Sequence, residues 1–194
     1  MSESDVFKNE FKKNSDILAV GKVSNMIGDD VSVEGVVPEG KEENANDFSS
    51  VRVIRIDEDY LDVMSIPLVS GRNFSTEYND SASFIINETA ARMLGLQNPV
   101  GQRLNSMTMG MIGTVVGVVK DYHFASLHNV IEPLVLEYKP RWTGLLTVKM
   151  RAGKTAETLE YIKSTVKTIA PNNLLVYNFL DDKLDALYKS EDSM

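Results

Sequence analysis

"SFIINETAARMLGLQNPVGQRL", Ser83 to Leu104, changes its period in mid-run. Phe84, Ile85 and Ile86 form a short apolar run of strand type, and Asn87 then stands where a helix N-cap belongs. Thr89 to Leu94 reads as one short helix closed by Gly95, and the proline and glycine of "NPVGQRL" turn the chain into another strand. A strand feeding a stub of helix and returning at once to strand is a mixed-fold signature.

Downstream, Met109 to Lys120 is a long β run, Leu134 to Tyr138 another, and "GLLTVKMRA" a third. "KTAETLEYIKSTVKTIAP" is the clearest helix: Thr155 can cap it, Leu159, Ile162, Val166 and Ile169 form an apolar stripe, and Pro171 ends it. "LLVYNFL", Leu174 to Leu180, reads as a last strand, and "DDKLDALYKSED" as a closing helix with Leu184, Leu187 and Tyr188 on one face. Upstream, Val6, Phe7 and Phe11 lie on one face of a helix from Asp5 to Asn14, with Lys8, Lys12 and Lys13 on the other. Asp16 to Asn25 and "DVSVEGVV" read as strands forming a hairpin that turns at Gly28, with Val31, Val33 and Val37 in phase. "EGKEENANDFSS" reads as a mobile loop, "VRVIRID" as an alternating strand, and "DEDYLDVMSI" as a short helix with acidic residues at its start. Helices gather at the two ends and strands in the middle. The expected fold class is α+β in two lobes, with an inserted strand-rich lobe (67–140) and a second lobe built from both chain ends (1–66 and 141–194).

Composition narrows the function. With 43% hydrophobic and 25% charged residues, the 194-residue chain has the make-up of a folded protein. Its formal net charge of -8 and its lack of a cationic run argue against nucleic acid and against an anionic membrane surface. There is no cysteine, so no disulfide, thiolate nucleophile or cysteine zinc site is available. No apolar run approaches the ~20 residues of a membrane helix and no signal sequence is seen, so this stretch reads as a soluble polypeptide.

The residues that tempt a catalytic reading lie in "KDYHFASLH". His123 and His128 are the only histidines, two ligands short of a zinc site and not in HExxH spacing. Ser126 lacks the flanking glycines of a nucleophile elbow. Gly110, Gly113 and Gly117 match neither phosphate-loop spacing and sit in a β run, where glycine marks bulges or close approach. The carboxylates of "DEDYLD" and "DDKLD" suit helix starts and lack calcium-loop spacing. No catalytic, cofactor or metal site is expected.

Taken as a set, "LVSGRNFS", "FIINETAARMLGLQNPVGQRL", "GTVVGVVKDYHFASLHNVIEPLV" and "YNFLDDKLDALYKSE" resemble the MacB-like periplasmic core domain of FtsX-like ABC transporter permeases, in their Bacteroidetes-type form. The pattern is met by Gly71, Arg72 and Phe74, by Asn87, Glu88, Ala90, Leu94, Gly95, Asn98, Pro99 and Gly101, and by Val116, Gly117, Val118, Val119, Asp121, Tyr122, His123, Ser126 and Leu127. The resemblance implies a porter lobe from the chain ends, an inserted Sabre lobe, and a structural role for these motif residues. It also implies membrane helices flanking the domain, a cytoplasmic ATPase subunit or domain, a second permease copy, and an inner-membrane location with the domain facing the periplasm. A periplasmic adaptor and outer-membrane channel are further partners in parts of the family. The implied function is non-enzymatic: ATP hydrolysis elsewhere moves the domain mechanically, for efflux or envelope processes. The alternative class is a ligand-sensing extracytoplasmic domain of a membrane receptor, marked by an enclosed polar pocket, and the third a hydrolase using His123 and Ser126. An insert between two membrane helices requires both terminal helices to meet at the same side of the molecule.

Overall fold

Ser2 begins the fold by accepting from the Asp5 backbone N–H (3.3 Å) while the Asp5 carboxylate accepts from the Ser2 N–H (2.7 Å). This capping box starts helix α1 (Glu3–Phe11) two residues before the expected Asp5. The computed structural model describes residues 2–41, 48–107, 110–124 and 130–191, with the backbone only for 186–191. The loop expected around "EGKEENANDFSS" falls largely outside them, as do Ser126, Leu127 and His128.

After α1 come strands β1 (Ile17–Val23), β2 (Ser32–Pro38) and β3 (Ser49–Ile56), helix α2 (Tyr60–Met64), and strands β4 (Leu68–Gly71) and β5 (Ser83–Asn87). Helix α3 (Glu88–Met93) is followed by β6 (Arg103–Ser106), β7 (Met111–Val119), β8 (Leu134–Tyr138), β9 (Leu145–Met150), helix α4 (Thr155–Ile169) and helix α5 (Leu180–Glu191). The fold is α+β, as the sequence predicts.

The pairing order β2-β6-β7-β5-β8-β3, with β3 pairing back to β2, closes six strands on themselves. The middle of the molecule is therefore a small barrel, in which no member strand is left with a free edge. Its interior is filled by Val36, Val51, Val53, Phe84, Ile86, Leu104, Val115 and Val135. Ala90, Ala91 and Leu94 of the α3 region complete that cluster at the end where β5 finishes. The outer wall, with Ile54, Ile56, Ile85, Leu134 and Leu136, packs under Tyr60 and Leu61 of α2 and under Phe74 and Phe124.

Barrel closure changes the expected organisation at two points. The hairpin between β1 and β2 does not form: Gly28 does turn at positive φ, but β1 pairs with β9, and with β3 only at Val23–Ile56. β2 instead joins β3 and β6. Of the expected in-phase valines, Val31 and Val37 are buried but Val33 is exposed at 55%, while Glu34 and Val36 of the other phase point inward. The sheet likewise runs across the boundary expected at residue 66, because β2 and β3 complete a barrel whose other strands come from 67–140.

The terminal residues build a second layer. α1 and α4 cover β1 and β9 through Phe11, Ile17, Val20, Ile162 and Val166. Thr155 does not cap α4; the N-cap position is Lys154, without a side-chain cap. In the expected stripe, Ile162 and Val166 are buried but Ile169 is exposed, and Thr158 is buried in addition. The expected strand at Leu174–Leu180 is absent: Leu174 and Val176 are 88% and 74% exposed. That segment is tethered by side chains instead, Asn173 to Glu3 (2.6 Å) and Lys183 to Asp29 (2.6 Å). Among the described residues no helix is long and apolar enough to cross a membrane.

Candidate functional site

Lys8 is the first side chain whose position the helix pattern misassigns. It sits three residues before Phe11 and shares its buried stripe, so that it is 7% exposed, not on the solvent face with Lys12 and Lys13. Its Nζ donates to Asp57 Oδ2 (2.5 Å) and Glu58 Oε1 (3.3 Å) and forms an ion pair with Asp59 Oδ2 (2.9 Å). Lys12 adds a second bond to Asp59 Oδ2 (2.5 Å), and on β1 the buried Lys22 pairs with Asp5. The acidic run after β3 does more than start α2: it binds α1 to the corner between β3 and α2.

Charge explains how firmly. Burial works against the Lys8 ammonium, but the bonds from Asp57 and Asp59 outweigh it and hold its pKa above that of a free lysine. Asp57 is fully buried. Its carboxyl is pushed up by burial, against the Lys22 N–H and Lys8, which pull it down. Tyr138 Oη donates to Glu58 Oε2 (3.1 Å), and burial with the Glu58 charge pushes that phenol up to about 12. Asn73 Nδ2 donates to the Glu58 carbonyl (2.8 Å), bringing the segment after β4 into the same joint. Carboxylate oxygens of Asp57, Glu58 and Asp59 approach within 4.8 Å of one another, and the ammonium among them does what a cation would do.

The motif residues form a second set of fasteners around the barrel. Gly71 takes positive φ, and a Cβ there would fall on the Val116 carbonyl and 2.9 Å from the Gly117 Cα. Gly117 in turn lies against the Arg72 carbonyl, so the two glycines let β4 and β7 meet backbone to backbone. Arg72 forks onto Asp80 (2.8 Å twice) and lies over the Tyr78 ring (4.2 Å). Phe74 is buried against Tyr138.

Asn87 is fully buried and serves three partners. Its Oδ1 accepts from the N–H of Ala90 and of Leu134 (2.9 Å each), and its Nδ2 donates to the Glu132 carbonyl (2.9 Å). Glu88 accepts the Asp121 N–H (3.1 Å), while Asp121 accepts from the N–H (2.9 Å) and hydroxyl (2.8 Å) of Thr89 and from Arg92 (3.0 Å). Burial alone would push the Asp121 carboxyl up, but these donors hold it below its ordinary value. Asn98 is exposed, Pro99 accepts the Gln102 N–H (3.0 Å), and Gly101 turns at positive φ while donating to Val115 (2.8 Å). Tyr122 packs edge-on against Phe124 (5.8 Å), with His123 half-buried between them in sequence.

This geometry joins elements; among the described residues it does not assemble a nucleophile, a base and an oxyanion site around one point. The Lys8 joint was not legible in the sequence. The available signal was the i, i+3 spacing of Lys8 and Phe11 together with three acidic residues directly after a strand.

A family model described as MacB-like periplasmic core domain matches residues 4–163. No curated protein matches the chain. Among solved structures, the periplasmic region of MacB from Actinobacillus actinomycetemcomitans is similar over 98% of this chain and 83% of its own, with TM-score 0.61 and 19% identity. The extracellular domain of the noncanonic ABC-type transporter YknZ from Gram-positive bacteria is similar over 87% of this chain and 83% of its own, with TM-score 0.60 and 15% identity.

Proposed function

The chain belongs to the family of MacB-like periplasmic core domains, and from that premise we propose that it acts as a rigid extracytoplasmic arm of an ABC transporter permease. The family is one of transporter domains and not of enzymes, with ATP hydrolysis in another subunit or domain. In this reading ATP-driven closure in the cytoplasm moves transmembrane helices, and α1 and α5 carry that movement to the domains of two permease copies in the inner membrane. The barrel is then the Sabre-like lobe, and α1, β1, β9, α4 and α5 are the porter-like lobe. The motif residues from Gly71 to His123 keep the lobes stiff, and a periplasmic adaptor and outer-membrane channel are the partners that fit such an arm.

The observation that carries this reading is the family match from α1 into α4. The joint under α1 supports it, because a lever must be fixed to its load. So does the placing of the ends: the start of α1 meets the chain after α4 at Glu3–Asn173, and α5 begins beside the turn after β1 at Lys183–Asp29. A receptor would need an enclosed polar pocket. One recess, between Val37, Pro38, Lys41, Ser49, Met93 and Leu94, is largely open and so is not of that kind.

The test is to reconstitute the intact permease with its ATPase and to delete the domain between its membrane helices. ATP hydrolysis should persist while transport is lost. Transport that survives the deletion would contradict the proposal.

A further inference from the structure

The barrel interior is apolar except at one end. β3 and β8 run in parallel towards that end, opposite α3, and bring Arg55 and Glu137 together as direct register partners. Glu34 enters from β2 and Ser106 from β6, each in line with the inward-facing Val36 and Leu104 of its own strand. Glu34 and Glu137 are 3% and 1% exposed. Arg55 donates to Glu34 Oε1 (3.2 Å), and Ser106 donates to Glu34 Oε2 (2.9 Å). Trp142 lies over the guanidinium at 5.8 Å.

Glu137 is the weakly served member. Its Oε2 lies 3.3 Å from Arg55 Nε, yet outside hydrogen-bonding geometry, and accepts no hydrogen bond among the described residues. Two carboxylates thus share one guanidinium inside a closed barrel: Arg55 Nη2 and Ser106 donate to Glu34, while Arg55 Nε faces Glu137 without completing a hydrogen bond. The remaining charged neighbour, Lys139, directs its ammonium outward to the Ser81 carbonyl (2.7 Å), and Phe84 on β5 faces Glu137 with no polar group. An ionised Glu137 would have only the guanidinium it shares with Glu34 as a close countercharge, and no hydrogen bond to its Oε2, in a water-poor interior.

We propose that Glu34, Arg55 and Glu137 form a proton-binding site in the barrel, which holds one proton on Glu137 and releases it as the pH rises, so that Glu137 competes for Arg55 and loosens the Glu34–Arg55 link between β2 and β3. The site is a pH-responsive element in the wall of the barrel and stands apart from the reading as a permease domain. In agreement, burial first and the Glu34 charge second push the Glu137 carboxyl up from its ordinary value. A carboxyl whose folded pKa is raised stabilises the fold fully below its unfolded pKa of about 4.3, and that stabilisation is lost as the pH rises through the folded value.

The test compares the full chain with Glu137→Gln and Glu34→Gln by thermal unfolding from pH 5 to 8.5. Each tenfold excess in proton affinity of the folded over the unfolded state is roughly 1.4 kcal/mol, or roughly 3–5 °C in Tm for a chain of this length. The wild-type Tm should fall with rising pH. In Glu137→Gln the fall should shrink to the part that Asp57 contributes, and the Tm at pH 8 should exceed that of wild type. Glu34→Gln should flatten the profile as well, since Glu137 then has Arg55 to itself, so either variant suffices if the other does not fold. Asp57, also pushed up by burial, titrates alike in all three proteins and cancels. Trp142 is the sole tryptophan, and its fluorescence in the native wild type should titrate over the same range. Parallel Tm profiles in all three proteins, with flat Trp142 fluorescence, would overturn the proposal.

Discussion

Replacing Lys8 by methionine keeps the stem of the side chain and removes its charge from beneath α1. The partner left behind matters most: Asp57 is fully buried and loses its ammonium, whereas Asp59 keeps Lys12. Breaking a buried pair from one side costs about 3–5 kcal/mol, against about 0–1 for an exposed pair. The Asp57 carboxyl, already raised by burial, should rise further without Lys8 and take up a proton, which relieves the cost at low pH. The loss should therefore be smallest near pH 5 and grow as the pH rises through the new folded pKa of Asp57. Urea unfolding followed by circular dichroism at pH 5, 7 and 8.5 measures it. Adding Asp57→Asn should recover part of the loss, because no buried charge is then left alone. A loss under ~1 kcal/mol that is the same at all three pH values would refute the buried joint, since that is how an exposed pair behaves.

Gly71→Ala and Gly117→Ala should each cost several times the ~1 kcal/mol of an ordinary left-handed glycine, because their Cβ atoms meet backbone. Gly95→Ala, with open space around its Cβ, should show only that ordinary cost in Tm. Asn87→Ala should lower stability by about 2–4 kcal/mol, from a lost cap and buried groups at Leu134 and Glu132 left unpaired; a loss below 1 in urea unfolding would contradict that. In acid, Asp5 is held low by Lys22, while Asp80 and Asp121 are held low by Arg72, Ser83 and Thr89 against their burial. Lowered folded values stabilise above the unfolded pKa of about 3.9 and fail as the pH falls through them. The Tm should therefore drop below about pH 4, and a flat profile from pH 4 to 2 would count against these pairs.

The strand-to-helix switch at Asn87 was legible because cap, apolar run and closing glycine are all local. So were β7, β8, β9 and α4, whose periods are long enough to read. Barrel closure was not, since it depends on β2 choosing β3 and β6 over its neighbour β1, a non-local competition. The inward face of β2 at Glu34 was hidden as well, because a buried carboxylate has no apolar signal. Lys8 was misassigned for the same reason, as charge reads as surface until its partner is known. At Leu174–Leu180 the strand pattern is present, but no ladder is made with the sheet, and no local signal reports whether an edge will be used.

On the proposed reading, α1 and the barrel move as one body when the permease works. Spin labels on exposed Asn9 of α1 and exposed Gln102 beside β6, in the intact permease with its ATPase, measure this by pulsed electron resonance with and without ATP. The account predicts an unchanged distance within one copy and a changed distance between copies. An ATP-dependent change between α1 and the barrel of the same copy, with the copies fixed relative to each other, would contradict it.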